Sequence, residues 1–171
     1  ECAGPGPLFD LCRHSLALWP DFANSLRQRV GFGLGWETCG AIEIARDTPS
    51  ALALDQKGRL LAAVDPDLAP RWLDAHELRV RVPEIADDVC GGLLHPADGQ
   101  VEPRLLAKAL AIDAARCGAT LLSGCKVRAV QIQHGHATGV ACDDDVLAAD
   151  AVVIASGAWS QTLLGGLPMR T

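Results

Sequence analysis

Apolar residues recur at three- and four-residue steps through the first thirty positions, at Leu8, Leu11, Cys12, Ala17, Leu18, Phe22 and Leu26. That spacing predicts a long helix from Leu8 to Val30. Pro20 predicts a kink or a division into two helices, since proline removes a backbone donor and pushes Trp19 out of the α region. Gly31 to Gly40 reads as a loop, and Ala41-Ile42-Glu43-Ile44-Ala45 alternates like a half-exposed strand. A second helix is expected from Ser50 to Val64, weakened by Gly58 and closed by Pro66 and Pro70. Asp74-Ala75-His76-Glu77 has the Asp-x-x-Glu form of a reciprocal helix cap, so a short helix should run to about Val82, ahead of Pro83.

Gly91 to His95 reads as a short strand ended by Pro96 and the turn signal Asp98-Gly99. Pro103 suits the first position of the next helix, whose apolar face is Leu105, Leu106, Ala109, Leu110 and Ile112, and Gly118 stops it. Strands are then expected at Ala119–Leu122, Lys126–Gln133 and Gly139–Cys142, with His134-Gly135 as a hairpin turn. The uninterrupted apolar run Ala151-Val152-Val153-Ile154-Ala155 predicts a strand buried on both faces, as in a parallel sheet covered by helices. It breaks at Gly157, with Trp159 just beyond.

These elements predict an α/β (mixed α+β) fold: part of a Rossmann-like nucleotide-binding domain beside an antiparallel lobe. The expected division is a helical segment at 1–31, an antiparallel lobe at 32–100, and a helix, small meander and central strand at 101–171. The sequence starts at Glu1, and Thr171 follows directly on an apolar Leu163-Leu164-Gly165-Gly166-Leu167 segment. Both ends read as boundaries set within a larger protein.

Composition narrows the picture. Apolar residues make up 49% of 171 positions, ample for a core. The net charge of −6, with Lys and Arg scattered, argues against a nucleic-acid footprint. No apolar run approaches the length of a membrane span, and no signal-peptide pattern opens the chain. Seven cysteines form neither a zinc pattern nor a CxxC pair, and they read as small buried apolar groups of a cytoplasmic protein.

Candidate chemistry is sparse. Gly31-Phe32-Gly33-Leu34-Gly35 fails as a phosphate loop, because a helix precedes it and a strand follows. His95, at a strand end near Asp98, is where a base could lie, although a lone histidine there is more often structural. His134 and His136 flank a glycine at a hairpin tip, and Asp143-Asp144-Asp145 reads as a solvated turn. No metal site is expected.

Several segments taken in order resemble the D-amino-acid-oxidase-like FAD superfamily, and within it the glycine oxidases. They are Glu1-Cys2 before Leu8-Phe9-Asp10, Gly91-Gly92-Leu93-Leu94, Val101-Glu102-Pro103, Gly118-Ala119, Val127, Thr138-Gly139-Val140 and Ala149 through Ser160. The resemblance implies an FAD domain with an antiparallel substrate domain and oxidation of a small amino acid or amine. In such enzymes a hydride leaves the substrate α-carbon for the flavin, the imine is hydrolysed, and O₂ is reduced to peroxide. It implies that the Val127 main chain holds adenine, that Ala155 and Gly157 pack near the same end of FAD, and that Glu1 lies near the substrate pocket. No catalytic side chain can be carried over.

The family's Gly-x-Gly-x-x-Gly element and its Tyr and Arg substrate clamp have no counterpart here, and the chain contains no tyrosine. The chain by itself is therefore expected to be inactive. A dehydrogenase of the same superfamily, or a non-enzymatic self-associating domain, are the alternatives. A homo-oligomer is expected, with no nucleic-acid or membrane partner.

Overall fold

A computed structural model of the chain describes residues 6–143 and 145–164. The chain divides into two compact units, Glu1–Ala119 and Thr120–Thr171.

The first unit opens with α1 (Pro7–Val30), which has proline in its first turn and ends at Gly31. Gly31 adopts the left-handed conformation (φ 88°), and its N–H donates to the Arg27 carbonyl. Pro20 lies inside this helix without dividing it. Flanking contacts hold the turn: Trp19 stacks on Trp36 at 5.2 Å and meets Phe22 edge-on at 5.5 Å. The expected apolar face is only partly used. Ala23 and Leu26 are buried, whereas Leu8, Leu11, Leu18 and Phe22 are exposed. Ala23 and Leu26 pack with Leu34 and with Ala109 of α4 (Pro103–Arg116). The Gly31–Gly35 loop is thus a packed connection. Leu34 enters the core, its carbonyl accepts from Glu102 N–H, and a side chain at Gly35 (φ 63°) would strike Glu102.

Between α1 and α4 lies a three-stranded antiparallel sheet in the order β1 (Ala41–Ala45), β3 (Gly91–His95), β2 (Arg71–Asp74). The register sets Ala41 opposite His95 and Glu43 opposite Leu93. α2 (Thr48–Val64) packs on this sheet and starts two residues earlier than its apolar pattern suggested. Asp47 caps it, accepting from Ser50 N–H at 2.7 Å, while Ser50 Oγ accepts from Asp47 N–H. Gly58 marks a close approach of helix to sheet, because a Cβ there would sit 2.9 Å from a Leu93 methyl. α3 (Ala75–Arg81) carries the expected reciprocal cap of Asp74 and Glu77. A second core joins Leu73, Leu78, Val89 and Leu94.

The second unit is an antiparallel meander of β4 (Ala129–Gln133), β5 (His136–Ala141) and β6 (Val146–Ala148). His134 (φ 52°) and Gly135 (φ 81°) make the hairpin turn, both with the positive φ that a tight primed turn requires. The strand expected at Ala119–Leu122 is irregular backbone, and β4 starts at Ala129 rather than Lys126. A short turn at Gly157–Trp159 leads into α5 (Ser160–Leu164).

Two further expectations are corrected. The run 151–155 forms no strand, its exposure alternates, and Val153 is 89% exposed. β-branched residues favour an extended chain, but a strand needs a hydrogen-bonding neighbour, and no described segment pairs with this run. The central parallel strand is therefore absent among the described residues, where every ladder is antiparallel. The described cysteines are not buried apolar groups either: Cys12, Cys39, Cys90, Cys117 and Cys125 are exposed and Cys142 is half-buried, while Cys2 lies outside the described residues. Among the described residues no helix is long and apolar enough to cross a membrane.

Candidate functional site

Within the first unit, α1 and the β1–β3 edge enclose a cleft of about 630 Å³. Phe9, Leu16 and Trp19 line one wall, and Ile42, Glu43, Lys57 and His95 line the other. Glu43 is the charged residue in the middle of β1, a position that alternation alone would assign to solvent. Its Oε1 instead accepts two hydrogen bonds, from Lys57 Nζ at 2.6 Å and from His95 Nε2 at 2.7 Å. Each partner has a local cause. Gly58 lets α2 settle on β3 and so brings the neighbouring Lys57 over Glu43. His95 ends β3, directly before the turn at Pro96–Gly99 whose Asp98 carbonyl accepts from Gly40 N–H.

The three side chains are mostly shielded: His95 is 16% exposed, Lys57 22% and Glu43 36%. Burial pushes the Glu43 carboxyl toward its neutral form, but the hydrogen bonds from Lys57 and His95 outweigh it and hold the group below its ordinary range. An ionised Glu43 makes His95 Nε2 the donor, which fixes the ring's orientation and leaves Nδ1 as the acceptor of the neutral ring. A carboxylate holding an imidazole in this way can position a proton-transfer group. It can equally serve as a charge-balanced tie between β1, α2 and β3. Sequence reading singled out His95 but not Glu43 or Lys57, which come together only through the β1–β3 register and the α2 packing.

The residues expected to touch a cofactor lie elsewhere. Val127 sits half-buried in irregular backbone just before β4. Its neighbour Arg128 donates its N–H to the Ala141 carbonyl at 2.8 Å, prolonging the β4–β5 ladder by one residue. Neither the N–H nor the C=O of Val127 has a backbone partner among the described residues. Ala155 and Gly157 are exposed. Gly157 (φ 55°) opens the turn in which Trp159 N–H donates to the Ser156 carbonyl, and the space around its α-carbon is open. No described hydrogen bond joins Val127 to Ala155 or Gly157. Glu1 lies outside the described residues. His134 and His136 are exposed at the hairpin, and the Asp143 carboxylate pairs with the Arg128 guanidinium.

A family of FAD-dependent oxidoreductases matches the sequence over residues 2–171. Glycine oxidase of Geobacillus kaustophilus is 33% identical over 165 residues, covering 95% of this chain and 43% of that protein. The bifunctional protein ThiO/ThiG of Synechocystis sp. is 32% identical over 164 residues, covering 96% of this chain and 23% of that protein. Among solved structures, the Geobacillus kaustophilus glycine oxidase superposes with a TM-score of 0.85 at 32% identity, over 96% of this chain and 44% of that one. Glycine oxidase from Bacillus cereus gives a TM-score of 0.81 at 29% identity, over 94% and 44%. The chain thus spans less than half the length of each of these relatives.

Proposed function

Because the chain belongs to the FAD-dependent oxidoreductase family, we propose that the protein carrying it oxidises the amine of a small amino acid, with O₂ reduced to H₂O₂. Likeness to glycine oxidases in both sequence and fold carries this reading. On it, residues 1–31 and 101–171 belong to the FAD domain and 32–100 to the substrate lobe.

The residues present suit the cofactor. Val127 offers a main-chain N–H and C=O that have no backbone partner among the described residues, the complement of an adenine edge. The open space at Gly157 admits a ligand without meeting a side chain. FAD, when bound, supplies the two-electron acceptor. The chain's own part is to hold adenine through the Val127 backbone and to leave room at Ala155 and Gly157. In the substrate lobe Glu43 fixes the His95 ring, which places a proton acceptor at Nδ1 of the neutral imidazole.

The test is purification of the whole protein with its flavin and a peroxide-coupled assay against glycine and other small amino acids. Turnover with stoichiometric peroxide supports the proposal. Flavin reduction that only a quinone reverses would make the protein a dehydrogenase. The isolated 171-residue chain, titrated with FAD, should show no saturable shift of the visible flavin band, because the pyrophosphate cradle and substrate clamp are not in it. A stoichiometric yellow complex that releases peroxide would overturn that part.

A further inference from the structure

Two cysteines far apart in sequence meet in the second unit: Cys125 Sγ lies 2.6 Å from Cys142 Sγ. A turn at Ser123–Gly124, with Gly124 at φ 76°, directs Cys125 back toward the end of β5. The ladder bond from Arg128 N–H to the Ala141 carbonyl holds one side of the meeting point, and the Arg128–Asp143 ion pair holds it again. Cys142 N–H donates to the Asp145 carbonyl at 2.8 Å, fixing the other side. Backbone structure thus brings the sulfurs within about 0.6 Å of the ~2.05 Å length of an S–S bond. None of the other described cysteines has a sulfur neighbour.

We propose that Cys125 and Cys142 are a peroxide-responsive thiol pair that closes to a reversible disulfide. The reaction balances with a hydroperoxide as oxidant. The exposed Cys125 sulfur attacks the O–O bond, giving a sulfenic acid and one water. The Cys142 sulfur then displaces the hydroxyl as a second water and forms the S–S bond, so two thiols and H₂O₂ give a disulfide and two H₂O. The order of attack follows from exposure, since Cys125 is open to solvent and Cys142 is half-buried. The hydrogen bond with Cys125, then burial and the charges of Cys125, Asp145 and Asp143, push the Cys142 thiol up to about 11, which favours its protonated form. Transient, redox-sensing bonds of this kind are the form disulfides take in reducing compartments.

The bond does not depend on the oxidase reading, because a hydroperoxide from any source suffices. Its consequence does rest on that reading: closure would fasten residues 125–128, including Val127, against the end of β5 and slow FAD release.

The experiment treats the whole protein with one equivalent of H₂O₂, blocks free thiols and maps the peptides. The expected product is a Cys125–Cys142 cross-link, lighter by two hydrogens, formed before Cys12, Cys39, Cys90 or Cys117 is modified and lost on adding dithiothreitol. In Cys142→Ser, a sulfenic acid should be trapped at Cys125, whereas Cys125→Ser should leave Cys142 a thiol. Oxidation of all cysteines at equal rates, or of Cys125 to sulfinic acid with no cross-link, would overturn the proposal. The cross-link mapping uses the wild-type protein, so it stands even if a variant misfolds. FAD release from the oxidised protein should be several-fold slower than from the reduced protein. An unchanged rate would overturn the link to the cofactor while leaving the disulfide, and the flavoenzyme reading, in place.

Discussion

Replacing Glu43 with glutamine keeps the shape of the side chain that ties β1 to α2 and β3 but removes its charge. The carboxylate accepts from Lys57 at 2.6 Å and from His95 at 2.7 Å. A hydrogen bond to a charged group contributes about 1.5–3 kcal/mol and a neutral one about 1. Glutamine still accepts through its amide oxygen, so each bond weakens by roughly 0.5–2 kcal/mol. Glu43 is about a third exposed, and solvent screening takes back part of that difference. A net destabilisation of about 1–2 kcal/mol at pH 7 follows. With a urea slope of about 1–3 kcal/mol per molar, the unfolding midpoint should fall by roughly 0.3–2 M.

The pH dependence provides the sharper test. The folded state holds the Glu43 carboxyl below its ordinary range. Its stabilising contribution is therefore present in full above the unfolded value and is lost as pH falls through the lower, folded one. Protonated Glu43 and glutamine are nearly isosteric, so the gap between wild type and Glu43→Gln should close over that acidic window. Urea unfolding at stepped pH, followed by tryptophan fluorescence, measures it. A gap that stays constant into strong acid, or equal stability at pH 7, would refute the idea that the ionised carboxylate holds these elements together.

Three further outcomes are expected. In Gly91→Ala the new Cβ would sit 2.6 Å from the Leu73 carbonyl oxygen and from the Trp72 ring, in a backbone region glycine favours (φ 154°). Such overpacking should cost about 2–3 kcal/mol in urea unfolding, and near wild-type stability would contradict the close β2–β3 approach. Asp74→Ala removes the cap of α3 and should cost about 1 kcal/mol, read as a lower urea midpoint at unchanged slope. In the whole protein, Val127→Pro deletes one main-chain donor and should weaken FAD affinity about fivefold, near 1 kcal/mol, whereas Val127→Ala should leave it nearly unchanged. Equal effects of the two substitutions in a flavin titration would show that the side chain, not the backbone, makes the contact.

Several local signals in the sequence held, although the strand expected at Ala119–Leu122 is irregular backbone and Pro20 does not divide α1. β1 and β3 fall at the expected residues, α4 begins at Pro103, and the Asp74–Glu77 cap forms as its spacing implied. β2 escaped notice because its four residues run straight into that cap, too short to display alternation. Gly58 read as a weakness of α2, yet it is the point of contact that brings Lys57 to Glu43. The run 151–155 misled for the opposite reason: its composition is that of a buried strand, but composition supplies no neighbour. Cys125 and Cys142 likewise show no motif, since a hairpin and two turns, rather than close spacing, bring them together. Family membership was legible from ordered short segments, while the Glu43–Lys57–His95 cluster needed the tertiary register.

The most direct test of the functional reading is anaerobic mixing of the whole flavin-loaded protein with glycine, followed by admission of air. Bleaching of the visible flavin band, then its recovery with one H₂O₂ released per flavin, is the predicted result. A protein that retains no FAD, or a flavin that no small amino acid reduces, would contradict it.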